Sequence, residues 1–248
     1  MYQKQRKIKK LDIYTSAAEL FRIYQKEEEC VFLDSSLVNH LGKYSIIGRC
    51  PYLKLVKDGE IFTINGLEEK EQTFESYMKT YLAEHVDKND SELPIISGAI
   101  GYFSYDYGRE RQGIVSGEEE IVHIPEAAVT FYDFFIIEDC QKKEIWLIAD
   151  GITGDAAQML EEAEHRCKKI VQQGEERTKA REEIAVFPNF EKEEYKQAVA
   201  DMIQYIIEGD IYIANMTQQL TIESKKKPLD VFYDLRRANP SPFGGYLD

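Results

Sequence analysis

Apolar residues recur along this chain at two periods, one near two that marks half-buried strands and one of three to four that marks amphipathic helices. From Ala17 to Tyr24, Leu20, Phe21 and Tyr24 share one side behind a Thr15/Ser16 cap, which predicts a short helix. Cys30 to Leu33 is a short apolar run that stops at Asp34, Ser35 and Ser36, residues whose side chains bond nearby backbone and favour turns. After Gly42, Tyr44 to Gly48 is apolar again. Leu53 to Val56 and Ile61 to Ile64 flank Lys57-Asp58-Gly59-Glu60, and Asp-Gly between alternating runs is a strong hairpin signal. Phe74, Tyr77, Met78, Tyr81 and Leu82 place a helix over Thr73 to Ala83, followed by a polar loop from His85 to Glu92. Ile95 to Tyr107 reads as a strand in which Gly98 and Gly101 mark close backbone approach. Val129 to Ile137 and Glu144 to Ile148 form a second hairpin across Asp139 to Lys143, so the first 150 residues are mainly β.

The period then changes. Ala156, Leu160, Ala163, Cys167 and Ile170 define a helix with an acidic outer face. The almost wholly polar stretch Gln172 to Glu183 divides the chain into a first domain, 1–184, and the beginning of a second, 185–248. Glu191 to Glu208 carries Tyr195, Val199, Met202, Ile203 and Ile206 on one helical face and stops at Gly209. Ile211 to Ile222 predicts a strand and Leu229 to Arg237 a helix. Two prolines in Asn239-Pro240-Ser241-Pro242 then forbid helix continuation. Phe243 to Leu247 opens a further strand with nothing after it to pair with, the expected sign of a chain cut inside a domain. The fold class is α+β.

Composition narrows the function. With 248 residues and 43% hydrophobic content, the chain can bury roughly 75% of its unfolded surface and needs no disulfide scaffold. Thirty-one Lys and Arg against 45 Asp and Glu give a net charge of −14, which argues against nucleic acid as a partner. Met1 to Lys10 is basic but precedes no apolar signal core, and reads as a solvated leader. No apolar run approaches the ~18 residues of a membrane span, so a soluble, cytoplasmic protein without membrane contact is expected.

Cys30, Cys50, Cys140 and Cys167 are widely spaced and read as small buried hydrophobes; with His40, His85, His123 and His165 equally scattered, no metal motif forms. Nucleophile-elbow, dinucleotide and phosphate-loop signatures are missing. Asp106 and Arg109 are read either as a structural ion pair or as a pair orienting an anionic substrate. The acidic groups at 27–29, 118–120 and 191–194 read as solvated surface.

Four ordered segments add a resemblance. Phe32-Leu33-Asp34-Ser35-Ser36 with Gly42-Lys43-Tyr44-Ser45-Ile46-Ile47-Gly48, then Ser97 to Tyr107, Tyr205 to Gln218, and Asn239-Pro240-Ser241-Pro242-Phe243 together resemble the large subunits of chorismate-utilising enzymes. That family comprises anthranilate synthase and aminodeoxychorismate synthase component I. The resemblance implies two facing β-sheets flanked by helices, chorismate as substrate, Mg2+ in the complete enzyme, and a glutamine amidotransferase subunit that supplies ammonia. The Ser-Tyr-Asp-Tyr-Gly-Arg run and the Tyr132 to Trp146 hairpin look more like the p-aminobenzoate branch, an amino-transferring enzyme of folate synthesis, than the anthranilate branch. The family also implies a pocket that can hold tryptophan, carried here onto Asp34, Ser35, Lys43, Tyr44, Ser45, Asn215, Pro240, Ser241, Pro242 and Phe243. These residues would make the chain, alternatively, a module that binds an amino acid without chemistry; because an apolar pocket and an apolar core share one composition, simple packing at the sheet interface is the preferred reading of them. Asp34 stands where the family commonly has Glu, and Ile213-Ala214 where it has Gln-Val. The family's magnesium-binding and acid/base residues have no counterpart, so no residue of this chain is assigned as catalytic and the chain alone is expected to be inactive.

Overall fold

The computed structural model describes residues 5–114, 122–173 and 185–247. Two compact units divide the chain: residues 1–174 with 232–248, and residues 175–231.

The first unit is built on an antiparallel sheet. Its strands are β1 (Lys7–Lys10), β2 (Val31–Asp34), β3 (Tyr44–Asp58), β4 (Ile61–Ile64), β5 (Leu67–Glu68), β6 (Gly98–Phe103), β7 (Ala127–Asp139), β8 (Glu144–Ala149) and, after the second unit, a strand at Gly244–Tyr246. Helices α1 (Ala17–Tyr24), α2 (Phe74–Glu84), α3 (Tyr105–Arg111) and α4 (Ala156–Gln173) lie between them. The second unit holds β9 (Ala185–Pro188), α5 (Lys192–Glu208) and β10 (Leu220–Glu223); α6 (Pro228–Ala238) leads back to the first unit and to the last strand, β11 (Gly244–Tyr246).

Two long strands, β3 and β7, form the spine, paired from Tyr44↔Asp139 to Lys57↔Ala127. Register shifts once, between Pro51 and Leu53, where proline cannot donate to the ladder. Cys50 beside it has φ 55. Around the spine the order is β1-β8-β7-β3-β2-β11, while β6 pairs β7 and β4 pairs β3. The Asp58-Gly59 signal holds: Asp58 faces Ile61 across the tight turn.

Side chains of β7 alternate between two buried faces. Phe135 and Ile137 join Val31, Tyr132, Ile148 and the loop residues Leu93 and Ile96. Glu138 turns the opposite way and reaches the first backbone amide of α1. At the other end Leu53, Leu55, Phe62, Val129 and Phe131 pack under α2 through Phe74, with Tyr77 and Tyr81 alongside. Gly101 is needed where β6 meets β7, because a Cβ there would lie 2.1 Å from the carbonyl oxygen of Ala128.

The structure corrects five expectations. The basic leader is not simply solvated: Lys7–Lys10 is an edge strand on β8, its lysines guarding the edge. Lys9 and Lys10 reach Glu164 and Glu144 at 2.5 Å each, and Arg6 pairs with Asp150 at 2.5 Å. The strand expected over Ile95 to Tyr107 ends at Phe103, and a helix follows because Ser104 Oγ accepts the Tyr107 amide at 3.1 Å. Of Ile211 to Ile222, only Leu220–Glu223 is a strand. The last strand has a partner: Gly244, Gly245 and Tyr246 face Asp34, Leu33 and Phe32. Glu27 is no bare surface carboxylate either, since it accepts both Arg49 nitrogens at 2.7 and 2.8 Å and Arg166 at 2.9 Å. Residues 118–120 lie outside the described residues.

In the second unit β9 and β10 form an antiparallel ribbon. Phe190 and Tyr195 meet edge to face with centroids 5.9 Å apart. The apolar face expected on α5 is partly covered: Tyr195, Val199 and Met202 are half-buried, Ile203 and Ile206 are exposed, and none of the helix's residues is buried.

Candidate functional site

Three segments far apart in sequence meet at the outer end of β2. Asp34 is the last residue of β2, and its side chain is only 2% exposed. Such a carboxylate needs a partner, and the guanidinium of Arg236 on α6 supplies one, Nε donating to Oδ2 at 2.8 Å and Nη2 to Oδ1 at 3.2 Å.

Ser35 follows as the sheet ladder ends. Its amide donates to Ser45 Oγ at 3.0 Å, and its hydroxyl lies 2.7 Å from the Tyr44 carbonyl and 3.0 Å from that of Pro242, one proton serving two acceptors. Ser36 and Ser241 bond reciprocally: the Ser241 amide donates to Ser36 Oγ at 2.9 Å, and the Ser36 hydroxyl donates to the Ser241 carbonyl at 3.2 Å. The Leu37 amide also donates to that carbonyl, at 3.0 Å. Ser241 Oγ accepts the Phe243 amide at 3.2 Å. Gly42 is needed between the segments, since a Cβ there would lie 2.3 Å from the Leu37 carbonyl oxygen and 3.0 Å from Pro242 Cα.

Lys43 and Tyr44 stand at the start of β3, beside Ser45. The Lys43 ammonium sits 4.8 Å from the Tyr44 ring centre, and the Lys43 carbonyl accepts the Cys140 amide at 2.9 Å. Cys140 Sγ in turn lies 3.5 Å from Ser45 Oγ. Phe243 is mostly exposed. The structure thus gathers Asp34, Ser35, Lys43, Tyr44, Ser45, Ser241, Pro242 and Phe243, with Pro240 in the same turn. Asn215 belongs to the second unit and is not among the residues gathered here.

Sequence reasoning missed Arg236, whose place in the last turn of a helix reads as ordinary dipole complement. It also missed Glu138, one strand pair away. Glu138 is buried, and its carboxylate accepts Tyr14 Oη at 2.6 Å and the Ala17 amide at 2.7 Å. Burial raises its pKa above the usual carboxylate range; the two donors oppose that shift. Burial likewise pushes the Cys140 thiol up, which leaves it protonated and a poor nucleophile.

Chemically the cluster fastens backbone to backbone. Its hydroxyls bond backbone amides and carbonyls of the facing segments, and Asp34 and Arg236 pair with each other. Elsewhere, Asp106 and Arg109 lie one turn apart on α3 at 3.2 Å, an intrahelical pair. Mg2+ asks for several oxygen ligands. Among the described residues no group of three or more His, Cys, Asp and Glu side chains is placed to hold a metal ion. No described helix is long and apolar enough to cross a membrane.

Comparison with known proteins finds relatives over most of the chain. The chain is 28% identical over 260 residues to anthranilate synthase component 1 of Acetivibrio thermocellus, covering 96% of this chain and 52% of that protein. It is also 28% identical over 241 residues to aminodeoxychorismate synthase component 1 of Bacillus subtilis, covering 92% and 49%. The crystal structure of anthranilate synthase component I from Streptococcus pneumoniae matches 83% of this chain and 47% of its own, with a TM-score of 0.61 at 20% identity, and so shares the fold. The chain spans about half the length of the curated relatives it matches. The profile of chorismate binding enzymes matches residues 39–248, and the chain therefore belongs to the chorismate binding enzyme family.

Proposed function

We propose that this chain is part of an aminodeoxychorismate synthase component I, which adds ammonia to the ring of chorismate and retains the pyruvyl ether. The observation that carries the reading is the meeting of the Asp34-Ser35-Ser36, Tyr44-Ser45 and Ser241-Pro242 segments in one hydrogen-bonded cluster, within a chain of the chorismate binding family. The Bacillus subtilis relative supports the branch. The Acetivibrio thermocellus relative, equally identical, favours the second reading, an anthranilate synthase that eliminates pyruvate.

The reading extends to a cytoplasmic role in folate synthesis, with a glutamine amidotransferase partner as ammonia source. It also assigns Asp34, Ser35, Lys43, Tyr44, Ser45 and Phe243 to a pocket for an amino acid such as tryptophan. Mg2+ and the acid/base groups are assigned to the part of a longer protein outside this sequence, and the 248 residues alone are expected to turn over no chorismate. The test incubates the full-length enzyme with chorismate, Mg2+ and ammonium, with and without an aminodeoxychorismate lyase. p-Aminobenzoate that appears only with the lyase supports the assignment. Anthranilate fluorescence without the lyase overturns it in favour of the second reading.

A further inference from the structure

We infer that residues 232–247 form a strap that opens from the β2 edge as a unit of its own, and that its closure is what hides Asp34 and Ser35. The strap returns to the first unit after the excursion of residues 175–231. Among the described residues its ladder is three residues long, and two of the three are glycines, which gain little from the sheet and lose much chain entropy. The ladder lies at the end of the strand order, so its loss leaves β2-β3-β7-β8 paired as before.

What fastens the strap lies mostly outside that ladder. Arg236 clamps Asp34, Ser241 exchanges two bonds with Ser36, and the carbonyls of Ser241 and Pro242 accept from Leu37 and Ser35. Tyr233 Oη donates to the Ala18 carbonyl at 2.6 Å under the Arg22 guanidinium, and Tyr246 packs on Phe21 and Phe232. These bonds engage the groups a ligand at the cluster would need, so a ligand binds them only in the fraction of molecules whose strap is open. The inference rests on the ladder and the contacts of this segment, and holds whichever product the complete enzyme makes.

Hydrogen–deuterium exchange on the 248-residue chain tests it. In the unaltered protein the amides of Leu37, Ser241 and Phe243 exchange faster than those of the β7–β8 ladder. Arg236→Ala speeds exchange at those three by at least about tenfold, through loss of a charge-assisted bidentate pair, while Ile136 and Ile148 stay within about twofold. Ser36→Ala, a milder change that keeps every charge, moves the same amides in the same direction. Arg166→Ala, which touches Glu27 instead, leaves them unchanged. Equal acceleration at Ile136 and Ile148 makes the segment part of the global unfolding unit and overturns the inference, as does no acceleration in either strap variant.

Discussion

Glu138→Gln isolates one buried carboxylate that joins the sheet to a helix. The side chain leaves β7 and meets the start of α1, where the first backbone amides have no partner within the helix. Ser16 serves one of them, accepting the Glu19 amide at 3.3 Å, and Glu138 serves another, that of Ala17. Its second oxygen accepts from Tyr14 Oη. Glutamine keeps one acceptor oxygen and turns an NH2 group toward a donor, so one buried donor loses its partner. That costs about 1–3 kcal/mol, or a melting point lower by about 2–12 °C for a unit of this size.

The pH dependence has a definite sign. Because the folded pKa of Glu138 is raised, the folded chain holds more protons than the unfolded chain between the ordinary glutamate range and the raised value. Stability contributed by this group is therefore present at low pH and lost as pH rises through that window. Urea titrations at half-unit steps from pH 4 to pH 8 measure this, with Glu138→Gln removing that part of the slope and Tyr14→Phe costing about 1 kcal/mol. A Glu138→Gln protein within about 0.5 kcal/mol of the unaltered chain at every pH refutes the capping role.

Two further outcomes follow from packing. Gly101→Ala forces a Cβ against the Ala128 backbone, which has no flexible end to yield, so it lowers stability by about 2–3 kcal/mol in urea denaturation. Cys167 is fully buried with its thiol pushed up to about 11, so iodoacetamide at pH 8 modifies it only on unfolding, seen by mass spectrometry as labelling that tracks the urea transition.

Local pattern was legible wherever one element could satisfy itself. Ser16 with Leu20, Phe21 and Tyr24 gives α1 its cap and its buried stripe within nine residues. Asp58-Gly59 closes a hairpin without outside help. Elements that depend on distant partners were not legible. Lys7–Lys10 looks like a solvated run until β8, well over a hundred residues later, is placed beside it. The run Tyr102 to Tyr107 is rich in strand-favouring aromatics, and the capping hydroxyl of Ser104 starts a helix within it. Arg236 gives no local signal that its partner is Asp34, some 200 residues away.

The cluster at β2 shows why a motif can be read where periodicity cannot. Ser35, Ser36, Ser45 and Ser241 follow neither a helical nor a strand period, because they lie where the regular ladders stop. Backbone amides and carbonyls buried there still need partners. A serine hydroxyl both donates and accepts within a small volume, so it can replace the missing rung, as Ser36 and Ser241 do for each other. Gly42 clears the space that lets the three backbones approach. The residue types are therefore fixed by geometry rather than by burial, which makes the segments recognisable as words in the sequence. The same geometry engages their polar groups, so any ligand there has to compete with the chain's own carbonyls. On the proposed reading, fastening and recognition draw on one set of atoms, and a stronger strap leaves the cluster harder to occupy.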